Sequence, residues 1–356
     1  MELAYKLDFD QAARRWRAFW TGDLLDRPPT MLTVRRPEAP ERPGVPQIAG
    51  LDGDFGGPLD AFEAWAETMY FAGESLPCFV PSFGPDQYAA FLGCEIITPP
   101  DSGDTSWVVP CISEWDDFLP VRLDPGNHYW RLMREFYEAC AQRAQGKFLV
   151  GALDAHAGVD ALAAARGYQQ MLLDMMDQPE VIDRAAQQIA GLLPQVYETL
   201  WRAGGMDRAG WCSDWSGIGF PGNGCMTQSD FSAMLSPAMF RRWALPTLER
   251  EWEYLNYNFY HLDGPECLVH LPDLLAAPRL HGIQWVAGAG HAAQYTWVDI
   301  FQKIQGAGKR VQVWGQPEQI KWLHPQLKPN LVVYSVEGVA SPAQADELLD
   351  WLVRNS

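Results

Sequence analysis

The chain has 356 residues, of which 47% are hydrophobic and 20% are charged, which is enough apolar sequence for a large core. Its formal net charge of −18 argues against nucleic acid and anionic membrane surfaces as partners, because both require basic patches. Residues 1–25 lack the basic start and apolar core of a signal peptide, and no apolar run approaches the ~20 residues of a membrane span. We therefore expect a cytoplasmic protein with a small-molecule ligand.

The seven cysteines are scattered along the chain and include no CxxC pair. This usage predicts reduced thiols rather than a disulfide framework.

The first third of the chain mixes helices with short strands. Residues 35–60 are rich in Pro and Gly and predict an irregular, exposed excursion. Hydrophobic periodicity predicts helices over 8–20, 59–74 and 86–92, and strands over 31–34, 76–80 and 105–109.

From residue 127 the pattern alternates regularly between helix and strand. The predicted strands are 148–153, 208–213, 257–262, 282–286, 310–314 and 331–336. The predicted helices are 127–145, 158–176, 179–203, 229–253, 266–276, 296–306, 317–323 and 342–353. Such alternation implies a parallel sheet, and about eight units favour an α/β fold of the (β/α)₈ TIM barrel type. We predict a single domain over residues 1–356 with an N-terminal helical and irregular extension.

In such barrels the active site lies at the carboxyl ends of the strands. The polar residues that follow predicted strands are Asp154, His156, Asp214, His261, Asp263, His291, Gln316 and Glu337. Asp214 and His291 are the candidates for acid/base catalysis. The candidates for substrate binding are Trp211, Trp215, Trp285, Trp314 and His156, because an aromatic wall suits a quaternary ammonium group or an aromatic methyl ether.

His261 and Asp263 close the predicted strand 257–262. Side chains alternate along a strand, so these two point to the same side and offer two metal-capable groups. Each candidate also has a structural alternative. His261 is compatible with a core histidine, Asp263 and Glu337 with turn residues, Asp214 with a loop support, His291 with a surface position and each Trp with the core.

The segment Asp154-Ala155-His156-Ala157-Gly158 is similar to the DxHxxG pattern of cobalt-ligating corrinoid domains. Its glycine is one residue too close, and the helical module expected beside it is missing. We interpret the segment as unrelated to cobalt binding.

Ordered landmarks along residues 8–353 resemble the uroporphyrinogen decarboxylase superfamily, which also contains zinc-dependent methyltransferases that act with corrinoid proteins. The landmarks are GPDQYAAFLG (84–93), AAARGYQQMLLDMMDQPE (163–180), Asp214–Phe240 with Ser236-Pro237, HLDG (261–264), GKRVQVWG (308–315) and Ser335–Leu349. The resemblance implies a (β/α)₈ barrel, in agreement with the alternation of elements.

The two branches of this superfamily imply different sites. Decarboxylases carry an Arg-rich stretch, of which only Arg35 and Arg36 remain here, and a catalytic Asp that is absent near Pro81-Ser82-Phe83. Methyltransferases place a His-x-Cys pair and a later Cys on zinc. By this resemblance His261 matches the histidine, Asp263 stands at the first cysteine and Glu337 stands near the second.

The resemblance thus implies a divalent metal, most simply zinc, held by His261, Asp263 and Glu337. We expect methyl transfer between a small methylated compound and a thiol or a separate corrinoid protein. A decarboxylase or lyase acting on a small or tetrapyrrole carboxylate, and a non-catalytic ligand-binding protein, are the alternatives. The sequence leaves a homodimer open.

Overall fold

The computed structural model describes residues 1–99 and 105–356. The strands are β1 (Thr30–Arg35), β2 (Met69–Gly73), β3 (Cys78–Phe79), β4 (Glu95–Ile97), β5 (Trp107–Val109), β6 (Leu149–Val150), β7 (Gly224–Gln228), β8 (Tyr257–Asp263), β9 (Gly282–Val286), β10 (Arg310–Gly315) and β11 (Val332–Val336).

The helices surround these strands. They are α1 (Phe9–Thr21), α2 (Gly56–Thr68), α3 (Gln87–Phe91), α4 (Trp115–Phe118), α5 (His128–Ala144), α6 (Val159–Arg166), α7 (Tyr168–Asp177), α8 (Pro179–Ala203), α9 (Met206–Ala209), α10 (Pro237–Met239), α11 (Leu245–Tyr254), α12 (Leu271–Ala276), α13 (Val298–Gly306), α14 (Pro317–Leu323) and α15 (Pro342–Asn355). None of those in the described part of the chain combines the length and the apolar composition that crossing a bilayer requires.

Seven strands form the main sheet, in the order β2-β1-β11-β10-β9-β8-β7. All neighbours are parallel except β1 and β2, which are antiparallel. Strands β3 and β6 form a second, parallel pair, and a parallel bridge from Gly151 to Ser213 extends this pair. The hydrogen-bonded strands of the described residues do not form one continuous ring, and what the structure shows is an α/β fold with a mostly parallel sheet.

Several predicted elements differ from the structure for local reasons. The predicted helix 158–176 is divided between α6 and α7 at Gly167, whose φ of 89° is unsuited to a helix. The predicted helix 59–74 ends at Thr68, and β2 follows directly. Helix α9 takes up the first two residues of the predicted strand 208–213, and only Cys212 and Ser213 of that strand make strand-like bridges.

The segment 229–253 is also not one helix. Strand β7 precedes it, and a 3₁₀ turn over Asp230–Met234, helix α10, a π-helical turn over Phe240–Ala244 and helix α11 make up its length. Pro237 and Pro246 each lie in the first turn of a helix, where the missing amide hydrogen is tolerated.

Cys94 and Cys111 form a disulfide, with 5.1 Å between their Cα atoms. This corrects the prediction that all cysteines are reduced. The pairing depends on the antiparallel hairpin of β4 and β5, which brings together two residues 17 positions apart. The other five cysteines are free thiols.

We expect alkylation of the denatured protein to distinguish these two cysteine classes. Iodoacetamide should modify five cysteines without reductant and seven after reduction, because a disulfide-bonded sulfur is not nucleophilic. Intact-mass spectrometry counts the added groups. Seven modifications without reductant would show that the pair is reduced in the purified protein, and Cys111→Ser serves as the control that leaves six thiols in both conditions.

Candidate functional site

A cavity of about 500 Å³ lies where the strand ends meet the excursion. Phe79 and Val80 at the end of β3, Asp154 beyond β6, and Trp215 contribute to its inner wall. Residues 44–48 of the predicted excursion form part of its outer wall. Between the end of β1 at Arg35 and the start of α2 at Gly56 the segment forms no helix or strand, and it covers the cavity.

The cavity wall is aromatic and acidic. Phe62, Trp65 and Trp215 contribute rings, and Asp154 is the one charged side chain among the described residues that line it. Because an anionic substrate needs positively charged donors, this lining favours an uncharged or cationic ligand.

Asp154 belongs to a chain of charged groups with His156 and Asp230. The Nε2 atom of His156 lies 3.6 Å from Asp154 Oδ1, and its Nδ1 atom lies 3.5 Å from Asp230 Oδ2. Gln228 also donates to Asp154 Oδ1, at 2.6 Å. The arrangement leaves Asp154 Oδ2 without a hydrogen bond to any described residue.

His156 is held as a cation by its neighbours. Burial lowers the pKa of His156, but the charge and hydrogen bond of Asp154, followed by the charges of Asp230 and Asp160, raise it to about 10. Its backbone has φ of 38°, the one positive value among the described non-glycine residues. Backbone strain of this kind clusters at functional sites, which favours His156 as a site residue.

Asp160 lies next to these charged side chains and is almost fully buried. Its carboxylate accepts from Ser229 Oγ at 3.0 Å and from the backbone amides of Asp230 and Phe231 at 2.7 and 3.2 Å. Burial, and then the charge of Asp230, raise the pKa of Asp160 to about 7. Asp160 thus caps the 3₁₀ turn that carries Asp230.

His156, Asp160 and Asp230 also form a potential metal-binding group. Their ligand atoms lie within 4.8 Å of one another. One feature opposes a metal here: the carboxylate of Asp160 already accepts three hydrogen bonds, which compete with an ion for its oxygens.

The predicted ligands His261, Asp263 and Glu337 do not form such a group, because their ligand atoms do not come within 4.8 Å of one another. Strands β8 and β11 are separated by β9 and β10 in the sheet. Three strand spacings correspond to roughly 14 Å along a sheet, too far for one ion without curvature of the sheet. Asp263 and Glu337 are exposed, and His291 is exposed on the loop after β9.

His261 itself is partly buried and firmly held. Its Nδ1 atom makes a short hydrogen bond with Gln284 Oε1, and its ring packs edge-on against Trp215 with centroids 5.3 Å apart. Its Nε2 atom makes no hydrogen bond to the described residues. His261 therefore presents one free nitrogen next to a side chain that lines the cavity.

Asp214 is buried and its oxygens are occupied. It accepts from the Ser216 amide at 2.9 Å, from Ser216 Oγ and from the Met226 amide. Burial raises the pKa of Asp214 to about 6, although the hydrogen bonds from Ser216 and Met226 oppose the shift. Through these contacts Asp214 fastens the loop that carries Trp215 to strand β7, and its catalytic role stays a prediction.

The four predicted tryptophans lie in different surroundings. Trp215 lines the cavity, and Trp314 lies two residues beyond Gln312 on the same face of β10. Trp211 packs against Phe9 and beneath Arg17, and Trp285 is fully buried against Trp297. Trp211 and Trp285 are therefore buried and do not line this cavity.

Sequence reasoning missed Asp160, Gln228, Asp230, Gln284 and Gln312. Gln284 and Gln312 interrupt short apolar strands, and a polar residue at the centre of a buried strand is a usable signal. Asp230 falls at the start of the predicted helix 229–253, and nothing local in the sequence relates it to His156.

The sequence matches no protein-family model and no curated protein. The structure does match solved structures. One of them is a methyltransferase from Methanosarcina mazei, which superposes with a TM-score of 0.57 at 12% sequence identity and over 99% of both chains. At this identity the likeness concerns the fold: the whole chain is built on the same plan as that methyltransferase.

Proposed function

We propose that the chain is a methyltransferase that acts on a small methylated compound. The position of His261 carries the proposal: it lies at a strand end, its Nδ1 is engaged by Gln284, and its Nε2 is free beside the cavity residue Trp215. The end-to-end likeness to a protein named as a methyltransferase supports it. We further propose a single domain of the uroporphyrinogen decarboxylase superfamily, in which the main sheet, the β3–β6 pair and residues 212–213 are arcs of one (β/α)₈ barrel.

The proposed substrate is uncharged or cationic, such as a methylated amine or a methyl ether. Asp154 with its unpaired Oδ2, and the rings of Trp65 and Trp215, favour a ligand of this charge. Asp86 and Asp230 add negative charge around the single cation of His156.

Zinc remains the proposed cofactor, with His261 as the ligand whose geometry fits best. A bound zinc ion would supply Lewis acidity toward the substrate or the acceptor. Asp263 and Glu337 stay predicted ligands. The acceptor is proposed to be a thiol or a corrinoid on a separate protein.

A decarboxylase of small or tetrapyrrole carboxylates is the rival enzyme. Its recognition would need guanidinium groups at the cavity. Arg35 and Arg36 instead donate to the backbone carbonyls of Ala39 and Met69 at the surface. Nothing at the site specifically favours a non-catalytic ligand-binding role.

A methyl-transfer assay tests the proposal directly. Zinc-treated protein is incubated with free cob(I)alamin and one methyl donor in three separate reactions. The donors are tetramethylammonium (a cation), 2-methoxyphenol (neutral) and 4-methoxybenzoate (an anion). We expect methylcobalamin to form from the cationic or the neutral donor and not from the anion, and its formation is measured by absorbance. His261→Ala should lower the rate about 100-fold, in the range for loss of a ligand's support.

The control variant is His128→Ala, which removes an exposed histidine at the start of α5. It should retain the wild-type rate. Release of CO₂ from carboxylates without methylcobalamin from any donor would contradict methyl transfer. Equal rates with and without zinc would contradict metal dependence.

A further inference from the structure

Three polar side chains occupy one register across three neighbouring strands. His261 on β8 is paired with Gln284 on β9, which is paired with Gln312 on β10. Both glutamines are fully buried, and each lies between two apolar residues of its strand. Buried amides at such positions must find hydrogen-bond partners, so their orientation is defined by those partners.

The orientation of the Gln312 amide is determined by a backbone carbonyl. Its Nε2 atom donates to the Ser216 carbonyl at 2.9 Å and to Ser335 Oγ at 3.0 Å. A carbonyl oxygen only accepts, so the reversed amide would place two acceptors against each other. Gln312 Oε1 therefore faces Gln284.

The orientation of Gln284 and the tautomer of His261 follow in turn. Gln284 Nε2 donates to Gln312 Oε1 at 2.7 Å, which turns Gln284 Oε1 toward His261 Nδ1. Since Oε1 only accepts, Nδ1 must carry the proton. We propose that Gln284 and Gln312 are positioning residues that hold neutral His261 as the Nδ1–H tautomer, with the lone pair on Nε2.

This relay connects the Trp215 loop to the chemistry of His261. Ser216 follows Trp215, and its carbonyl is the acceptor that orients the relay. Trp215 packs against the same imidazole. A histidine that binds a metal or accepts a proton through Nε2 needs this tautomer, so the inference deepens the proposed methyltransferase function and rests on it for its purpose.

Nitrogen NMR of metal-free protein tests the tautomer without any assay of activity. Protein labelled with ¹⁵N in histidine is recorded by long-range ¹H–¹⁵N correlation at a pH where the ring of His261 is neutral, and His261→Gln identifies the resonances. We expect a protonated-type Nδ1 and a lone-pair-type Nε2. The opposite pattern in the wild-type protein would overturn the proposal.

Two variants show whether the relay is the cause. Gln284→Leu and Gln312→Leu should shift the His261 resonances toward a mixture of both tautomers, and zinc affinity should fall by about 10–100-fold. Gln305→Leu is the matched control, because Gln305 is equally buried but bonds only to backbone atoms of Lys328 and Leu331.

Gln305→Leu should lower stability and leave the His261 resonances unchanged. A wild-type tautomer retained in folded Gln284→Leu or Gln312→Leu would overturn the relay. If both variants fail to fold, the wild-type spectrum decides. The spectra need neither zinc nor substrate. If the protein shows the expected tautomer but no methyl-transfer activity, that result would refute only the proposed function and not the relay.

Discussion

Raising the pH from 7 to 9.5 should lower the free energy of unfolding of the wild-type protein by about 3 kcal/mol more than that of His156→Gln. The pKa of His156 is raised from 6.5 to about 10 in the folded state, so the folded protein retains a proton that the unfolded chain releases. The resulting stability is fully present below pH 6.5 and is lost as the pH rises toward 10. The full shift would be larger, because the window begins above the unfolded pKa of 6.5 and ends below the folded pKa of about 10.

The chosen pH window separates His156 from Asp160. A carboxyl group with a raised pKa destabilises the folded state progressively between its unfolded value of 3.8 and its folded value of about 7, and little further loss follows above pH 7. Burial lowers the pKa of Lys309 to about 8, which acts in the opposite direction within the window. Comparison with the variant cancels this contribution.

Urea unfolding at several pH values provides the measurement. His128→Gln, at an exposed position, is the control and should follow the wild-type curve. Parallel pH curves for the wild type and His156→Gln would show that His156 is not a held cation. In that case the Asp154 carboxylate in the cavity wall would have no positive charge from His156 beside it.

Replacing Glu74 with glutamine should lower the free energy of unfolding by about 3–5 kcal/mol. Glu74 is fully buried and paired with Arg27, which donates to both of its oxygens. It also accepts from the Thr30 amide at 2.8 Å and from Arg15 at 3.3 Å. Removing its charge leaves the buried Arg27 guanidinium without compensation.

The matched control is Asp183→Asn. Asp183 also accepts two hydrogen bonds from one arginine, Arg242, but both side chains are more than two-fifths exposed. Water screens such an exposed pair, so Asp183→Asn should leave the stability nearly unchanged, and the contrast isolates burial. The change is measured as a shift in the urea midpoint at constant slope. Similar losses in both variants would contradict the assigned importance of burial.

Glu74 also links helix α1 to the start of β1 and the end of β2. It follows β2, whereas Arg15 lies in α1 and Arg27 precedes β1. The sequence shows three charged residues far apart, and nothing local in it relates them. The antiparallel pairing of β1 and β2 brings Arg27 and Glu74 together, and the packing of α1 adds Arg15.

Local patterns determined much of the secondary structure. Strand 282–286 and helix 317–323 have the predicted bounds, because each is a periodic segment bordered by Gly or Pro. The alternation of such segments correctly predicted a mostly parallel sheet with helical connections. Strand periodicity also placed His261 and Asp263 on one face of β8.

Tertiary structure decided which of these strand-end groups meet. His261 is joined to Gln284 and Gln312 rather than to Asp263 and Glu337, and His156 meets Asp230 from a segment 74 residues away. The sequence by itself determined the end of the strand and the face on which each candidate lies. Which side chains share hydrogen bonds depends on strand order, the path of the loops and rotamers, which arise only when the whole core packs.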